Sequence, residues 1–108
     1  MPNLTFYIAE DQFNQFIDLN DITQNCCTLC IDILGAELNK VHIHYIPVKA
    51  GCGYPVYAEL IYRLSNHRSV EIMENFMQKL NETILQKTGL VTRIRCFGFN
   101  STQLHAYN

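Results

Sequence analysis

Hydrophobic and polar residues alternate with a period of two in four short segments of the chain, which predicts four β-strands. The first strand begins almost at the N-terminus, where Leu4, Phe6 and Ile8 alternate with polar neighbours. The other three are predicted over 40–46, 56–64 and 92–99. Successive side chains of a strand point to opposite sides, so each strand presents two distinct faces.

Two segments between these strands repeat their hydrophobic residues at helical spacing instead. The first is predicted over 12–34, with Gly35 at its C-terminal cap; its stripe consists of Phe13, Phe16, Ile17, Cys27, Cys30, Ile31 and Leu34. The segment 18–21, which is polar apart from Leu19, interrupts that stripe, so we expect the helix to begin late or to be broken there. The second helix is predicted between the N-cap Ser69 and Gly89; its stripe is Ile72, Met73, Phe76, Met77, Leu80 and Ile84.

The order of elements is β-α-β-β-α-β, and two helical stripes can cover only one face of a four-stranded sheet. The sequence therefore predicts a two-layer α+β sandwich in a single domain over 1–108. The uncovered face would carry a mixture of aromatic, charged and apolar residues: Thr5, Tyr7, His42, His44, Tyr57, Glu59, Ile61, Arg63, Arg95 and Phe97. Such a face suits a wet subunit interface or a central channel, so we expect an oligomer.

Charge and hydropathy exclude several classes of partner. The 108 residues contain eight Lys and Arg against ten Asp and Glu, with no block of like charge, which argues against binding to nucleic acid or anionic membranes. The apolar runs are too short for a membrane span, and the N-terminus has no signal-peptide pattern. We therefore expect a cytoplasmic protein.

Five cysteines are an odd number, and Cys26, Cys27 and Cys30 crowd together, which is not the spacing of a disulfide framework. Cys27 and Cys30 form a C-x-x-C pair, but the pair lies inside a helical pattern rather than at a helix start. We interpret these residues as reduced thiols on a buried helix face rather than as a redox pair.

Several motifs, in this order and spacing, resemble the tautomerase superfamily, which includes macrophage migration inhibitory factor and 5-(carboxymethyl)-2-hydroxymuconate isomerase. They are the Met1-Pro2 start directly before the first strand, the strand 41–47, the glycine-containing loop before the third strand, and 66–69 before the second helix. The resemblance covers nearly the whole chain. The turn at 53–55 and the tail at 102–108 look most like an uncharacterised bacterial tautomerase-like branch, known by its fold rather than by its reaction.

The resemblance implies a homotrimer with the sheets inside and the helices outside. It also implies a cofactor-independent keto-enol tautomerase or isomerase, acting on a small carboxylate-bearing enol or α-keto acid with Pro2 as general base. Pro2 becomes a secondary amine only after Met1 is removed, and an α-amino group ordinarily titrates near ~7.7–8.0. If Met1 stays attached, the alternative is a non-catalytic binding or assembly protein with the same fold.

A substrate carboxylate in this superfamily is usually held by an arginine. Arg68 is the first candidate, because it lies in the segment leading into the second helix; the alternative is that it merely pairs with Glu71 or stays solvated. Arg95 and Lys40 are further candidates for substrate binding, and we expect both to project from the uncovered sheet face, where each could equally line a wet channel. Phe97 and Phe99 are candidate walls of an apolar pocket beside Pro2; the alternative is that they only fill subunit contacts.

Two departures from macrophage migration inhibitory factor argue against a shared substrate preference. Ala36 stands where that protein has a lysine, and Arg95 stands where it has a tyrosine near the proline. His42 and His44 share one strand face and could supply two metal ligands, but we favour a polar interface and predict no metal. We expect Glu59 to form an ion pair with an arginine of the same face, Arg63 or Arg95.

Overall fold

The computed structural model describes residues 2–108. Along the chain lie β1 (Asn3–Ala9), α1 (Leu19–Asp32), β2 (His42–Val48), β3 (Val56–Arg63), α2 (Val70–Thr88) and β4 (Thr92–Phe99). Short 3₁₀ segments at Glu10–Gln15, Leu38–Lys40 and Ser101–Gln103 join or follow them. The predicted order of strands and helices is confirmed.

The four strands form one sheet in the order β2-β1-β3-β4. β1 runs parallel to β2 and antiparallel to β3, and β3 runs parallel to β4. The two parallel pairs are each joined by a helix, as parallel connections require. The strand residues that pack against the helices form a fully buried core: Leu4, Phe6, Ile8, Val56, Ala58 and Leu60. The α+β sandwich with one covered sheet face is confirmed.

The first helix is broken where the polar residues interrupt its pattern, as the sequence indicates. Asp18 caps α1 by accepting a hydrogen bond from the Asp21 backbone N–H at 3.1 Å. The predicted stripe is therefore wrong in part: Ile17 lies between the 3₁₀ segment and α1 and is 86% exposed, and Ile31 on α1 is 38% exposed. The residues that α1 buries are Ile22, Cys26 and Cys30.

The second helix has the predicted boundaries. The Ser69 hydroxyl accepts a hydrogen bond from the Ile72 backbone N–H at 3.3 Å. At the other end Gly89 adopts the left-handed conformation, with φ of 76°, and its N–H donates to the Leu85 carbonyl at 2.8 Å. Met73, Phe76, Leu80 and Ile84 of the predicted stripe are buried.

The cysteines are free thiols, and Cys27 and Cys30 lie inside α1, as predicted. Burial raises the pKa of Cys26 and of Cys30 to about 12, so both thiols stay protonated at neutral pH. Within residues 2–108, neither helix combines the length and hydrophobicity needed to cross a membrane.

The sheet face opposite the helices is uncovered within the chain, and the strand register groups its side chains into rows. One row runs His42, Asn3, Ile61, Phe97, and the next runs His44, Thr5, Glu59, Arg95. The ion pair predicted for Glu59 is wrong: among the described residues, its carboxylate instead accepts a hydrogen bond from the Tyr57 hydroxyl at 3.0 Å. Tyr57 lies two residues away on the same strand face and reaches Glu59 without crossing to β4.

Candidate active site

A cleft of about 190 Å³ opens at the start of β1, and we name it the Pro2 cleft. Three of the residues singled out in the sequence, Pro2, Lys40 and Arg68, line it together. The remaining lining residues are Gly35, Ala36 and Glu37. The fold thus brings a proline and two cations, which lie up to 66 positions apart in the chain, to one small space.

Pro2 is fixed by the first bond of the parallel β1–β2 pair. The backbone N–H of His42 donates to the Pro2 carbonyl at 3.0 Å, and the Pro2 side chain is less than 2% exposed. The removal of Met1, on which the amine chemistry depends, concerns a residue outside the described range.

Arg68 is held by backbone carbonyls rather than by a carboxylate. Its Nε donates to the Leu34 carbonyl at 3.0 Å, and its Nη1 donates to the Arg63 carbonyl at 3.0 Å. The alternative pairing with Glu71 is not found among the described residues. A guanidinium has five N–H donors, so these two bonds orient the group and leave donors for an anion.

His67, the residue before Arg68, makes a second contact between the same two chain segments. The His67 ring Nε2 lies 3.0 Å from the Ile33 carbonyl, next to the carbonyl that Arg68 uses. Gly35 turns the chain below them with φ of 69°, and a Cβ there would lie 3.4 Å from the His67 ring. Glycine is therefore suited to this position both by its backbone conformation and by the close ring.

Lys40 lines the Pro2 cleft from a 3₁₀ turn, whereas the sequence predicted it on a strand. It ends the 3₁₀ turn Leu38–Lys40, whose backbone bonds include Lys40 N–H to the Glu37 carbonyl at 2.9 Å. The expectation that Lys40 projects from the uncovered sheet face is therefore wrong, because β2 begins only at His42.

Glu37 is a site residue that sequence reasoning missed. It precedes the 3₁₀ turn, its side chain is exposed, and it gives the Pro2 cleft one negative charge beside two positive ones. The available signal was an acidic residue directly after the Gly35-Ala36 pair that ends the first helical segment.

The other predicted site residues do not line the Pro2 cleft within one chain. Arg95 lies on β4 in register with Glu59, and Phe97 is 53% exposed on the uncovered face. Phe99 ends β4 and is half-buried. Their predicted roles would require a second copy of the chain to bring β4 to the cleft.

The histidine pair of β2 is the partial metal site that the sequence offers. His42 and His44 are both exposed on the uncovered face, as their alternation predicts. Across residues 2–108, no group of three His, Cys, Asp or Glu side chains is arranged to hold a metal ion.

Neither a protein-family model nor a curated protein matches the sequence. Solved structures do match it over nearly its whole length. A member of the cis-3-chloroacrylic acid dehalogenase family matches with a TM-score of 0.74 at 9% identity, over 97% of this chain and 80% of that chain. A W0 fused 4-OT, described as a symmetric trimer, matches with a TM-score of 0.72 at 15% identity, over 97% and 93%.

A macrophage migration inhibitory factor-like protein from Entamoeba histolytica is also similar, with a TM-score of 0.69 at 11% identity, over 99% of this chain and 96% of that chain. At such low identity the likeness is one of fold, not of activity. The element order, the mixed sheet and these matches agree that the chain has the fold of the tautomerase superfamily.

Proposed function

We propose that the protein is a keto-enol tautomerase or isomerase, in which the amine of Pro2 acts as general base on a small carboxylate-bearing enol or α-keto acid. The observation that carries this proposal is the Pro2 cleft, where Pro2, Lys40 and Arg68 meet. A base beside two cations is the arrangement that proton transfer on a carboxylate substrate needs.

The proposed chemistry moves a proton from oxygen to carbon, so the elemental composition of the substrate does not change. With Met1 removed, the Pro2 amine takes the hydroxyl proton of the enol, and the resulting ammonium delivers a proton to the carbon. Burial of Pro2 and the positive charges of Lys40 and Arg68 both favour the neutral amine, which is the form that accepts a proton. Arg68 and Lys40 hold the carboxylate, and no cofactor is required.

The proposal includes a homotrimer in the cytoplasm. Support for the trimer comes from the uncovered aromatic and charged sheet face and from the fused 4-OT, whose described state is a symmetric trimer. In a trimer a neighbouring copy would bring Arg95, Phe97 and Phe99 to the Pro2 cleft. Support for the compartment comes from five free thiols, which suit a reducing environment.

The first test is the intact mass of the untagged protein at modest expression. A mass lacking one methionine leaves Pro2 as a free secondary amine and supports the proposal. A retained Met1 contradicts it, because an amide nitrogen offers no lone pair for proton transfer.

The second test replaces the proposed base and the proposed anchor. We expect Pro2→Ala to lower the turnover of phenylpyruvate-like enols by about 100-fold or more, and Arg68→Ala to lower kcat/KM by about 10- to 100-fold. Lys79→Ala is the matched control for loss of a cation, because Lys79 lies on the exposed side of α2 and pairs only with Glu82 among the described residues. Unchanged activity in both site variants would refute the mechanism.

A second candidate function is a non-catalytic binding or assembly protein with the tautomerase fold. The near-complete burial of the Pro2 side chain favours it, since a catalytic amine must be reachable by substrate. A retained Met1 together with an intact oligomer would support this candidate over the enzyme.

A further inference from the structure

A second and larger cleft lies between α2 and the sheet edge formed by β4, and we name it the α2–β4 cleft. Its volume is about 540 Å³, within the ordinary range for small-molecule sites. From α2 it is lined by Val70, Met73, Glu74 and Met77, whose spacing places them on one helical face. Pro2 and Lys40 do not line it.

Most of the lining is apolar, and part of it is unusually exposed. Val70 is 69% exposed and Leu64 is 45% exposed, although both are large aliphatic side chains beside the cleft. Met73 and Met77 add flexible side chains that can adapt to a chain-like ligand. Burial raises the pKa of Cys96 to about 11, so this lining residue is a neutral thiol at physiological pH.

The charged lining residues are Arg68, Arg95 and Glu74, which leave one net positive charge. Arg68 is fixed by its bonds to two backbone carbonyls, and Arg95 Nη1 donates to the Ile94 carbonyl at 2.8 Å. Each guanidinium keeps further N–H donors after these bonds. An apolar wall with a surplus cation complements a ligand that has an apolar chain and a single negative charge.

We propose that the α2–β4 cleft binds an alkyl monocarboxylate, with its chain against Val70, Met73 and Met77 and its carboxylate at Arg95 and Arg68. This site does not use the Pro2 amine, but it shares two residues with the proposed function: Arg68, and Arg95, which the proposed trimer would bring to a neighbouring Pro2 cleft. Arg68 lines both clefts, so the two sites share one guanidinium.

The methionine methyl groups allow ligand binding in this cleft to be measured directly. Two of the three methionines in the chain, Met73 and Met77, line the α2–β4 cleft, so ¹³C-methyl methionine NMR reports on it, with Met77→Leu to assign the signals. We expect octanoate to shift both methyl signals saturably. Affinity should rise about fourfold per methylene from hexanoate to octanoate, as burial of apolar chain requires.

The charge requirement has a matched control on the same strand. Arg95→Ala should weaken octanoate binding about tenfold. Arg93→Ala removes the same charge two residues away, from a position that does not line the cleft, and should leave binding unchanged. Pro2→Ala replaces the proposed catalytic secondary amine with a primary amine but should still bind octanoate, so this proposal and the proposed function fail separately.

Three results would overturn the proposal. The first is the absence of methyl shifts with octanoate, and the second is equal binding of octylammonium, which has the chain but the opposite charge. The third is a response to octanoate in the dilute monomer that disappears in the assembled protein, which would show that a second copy of the chain covers the cleft.

Discussion

Burial controls the protonation of several side chains in the core. The pKa values of Cys26 and Cys30 are raised to about 12, chiefly by burial, and that of Tyr45 is raised to about 12 for the same leading reason. The ordinary pKa of a thiol, from which these shifts start, is 9.0. The folded chain therefore binds more protons than the unfolded chain between these values.

A loss of stability at alkaline pH follows from this difference. The stabilisation from each buried thiol is fully present below about pH 9 and is lost as the pH rises toward about 12. Each such group should lower the free energy of unfolding by roughly 1.4 kcal/mol per pH unit within that window. Urea unfolding at pH 7, 9 and 10 measures the slope.

Cys26→Ala should make that slope shallower, whereas Cys52→Ala should leave it unchanged, because Cys52 is exposed. Equal slopes in both variants and the parent chain would show that the buried thiol is not responsible.

A site residue was predictable from the sequence only where its residue type and position are distinctive. Pro2 and Arg68 could be singled out because an N-terminal proline and an arginine before a helix are distinctive in the sequence. The Leu34 and Arg63 carbonyls that orient Arg68 could not, since every residue carries a carbonyl and only the fold selects these two. Glu37 was missed for a related reason: one exposed acid has no distinguishing pattern until the cleft is formed.

Among the elements, α2 was easier to predict than α1 because its boundaries depend on local chemistry. Ser69 and Gly89 make the bonds that a helix start and end need, independently of the rest of the chain. α1 begins only after Asp18, and the chain before it forms a 3₁₀ segment, so a single helical stripe drawn through 12–34 places Ile17 and Ile31 inward although both are exposed. The position of Lys40 on a strand was also predicted wrongly, because a 3₁₀ turn precedes β2, which begins only at His42.

The left-handed cap of α2 gives a prediction at the level of the element. Gly89→Ala should lower the free energy of unfolding by about 1 kcal/mol, because an L side chain at φ of 76° is strained even though a Cβ there has no neighbour within 4 Å. Gly51→Ala is the matched control: it also has open space around its Cβ but needs no left-handed backbone, so its effect should stay within about 0.5 kcal/mol. Equal effects in the two variants, measured by urea unfolding, would contradict the assignment of strain to the cap.

At the scale of the molecule, alternation along the strands was enough to predict which side chains share the uncovered face. It could not reveal which strands are neighbours, because the order β2-β1-β3-β4 is set by the helical crossovers. That order places β1 and β3 at the centre and sets Thr5 beside both His44 and Glu59. It also leaves β2 and β4 as edges, where another copy of the chain can approach.

The proposed trimer can be tested with two substitutions of the same kind on opposite sides of the molecule. Ile61 is 41% exposed on the uncovered sheet face, and Ile31 is 38% exposed on α1. If the sheets form the inner wall, Ile61→Glu places like charges close together around the assembly axis and should convert the trimer to monomers, whereas Ile31→Glu should leave it intact. Sedimentation velocity measures the assembly, and circular dichroism checks that both variants keep the fold. A trimer that survives Ile61→Glu but dissociates with Ile31→Glu would mean that the helices, not the sheets, face the neighbouring copies.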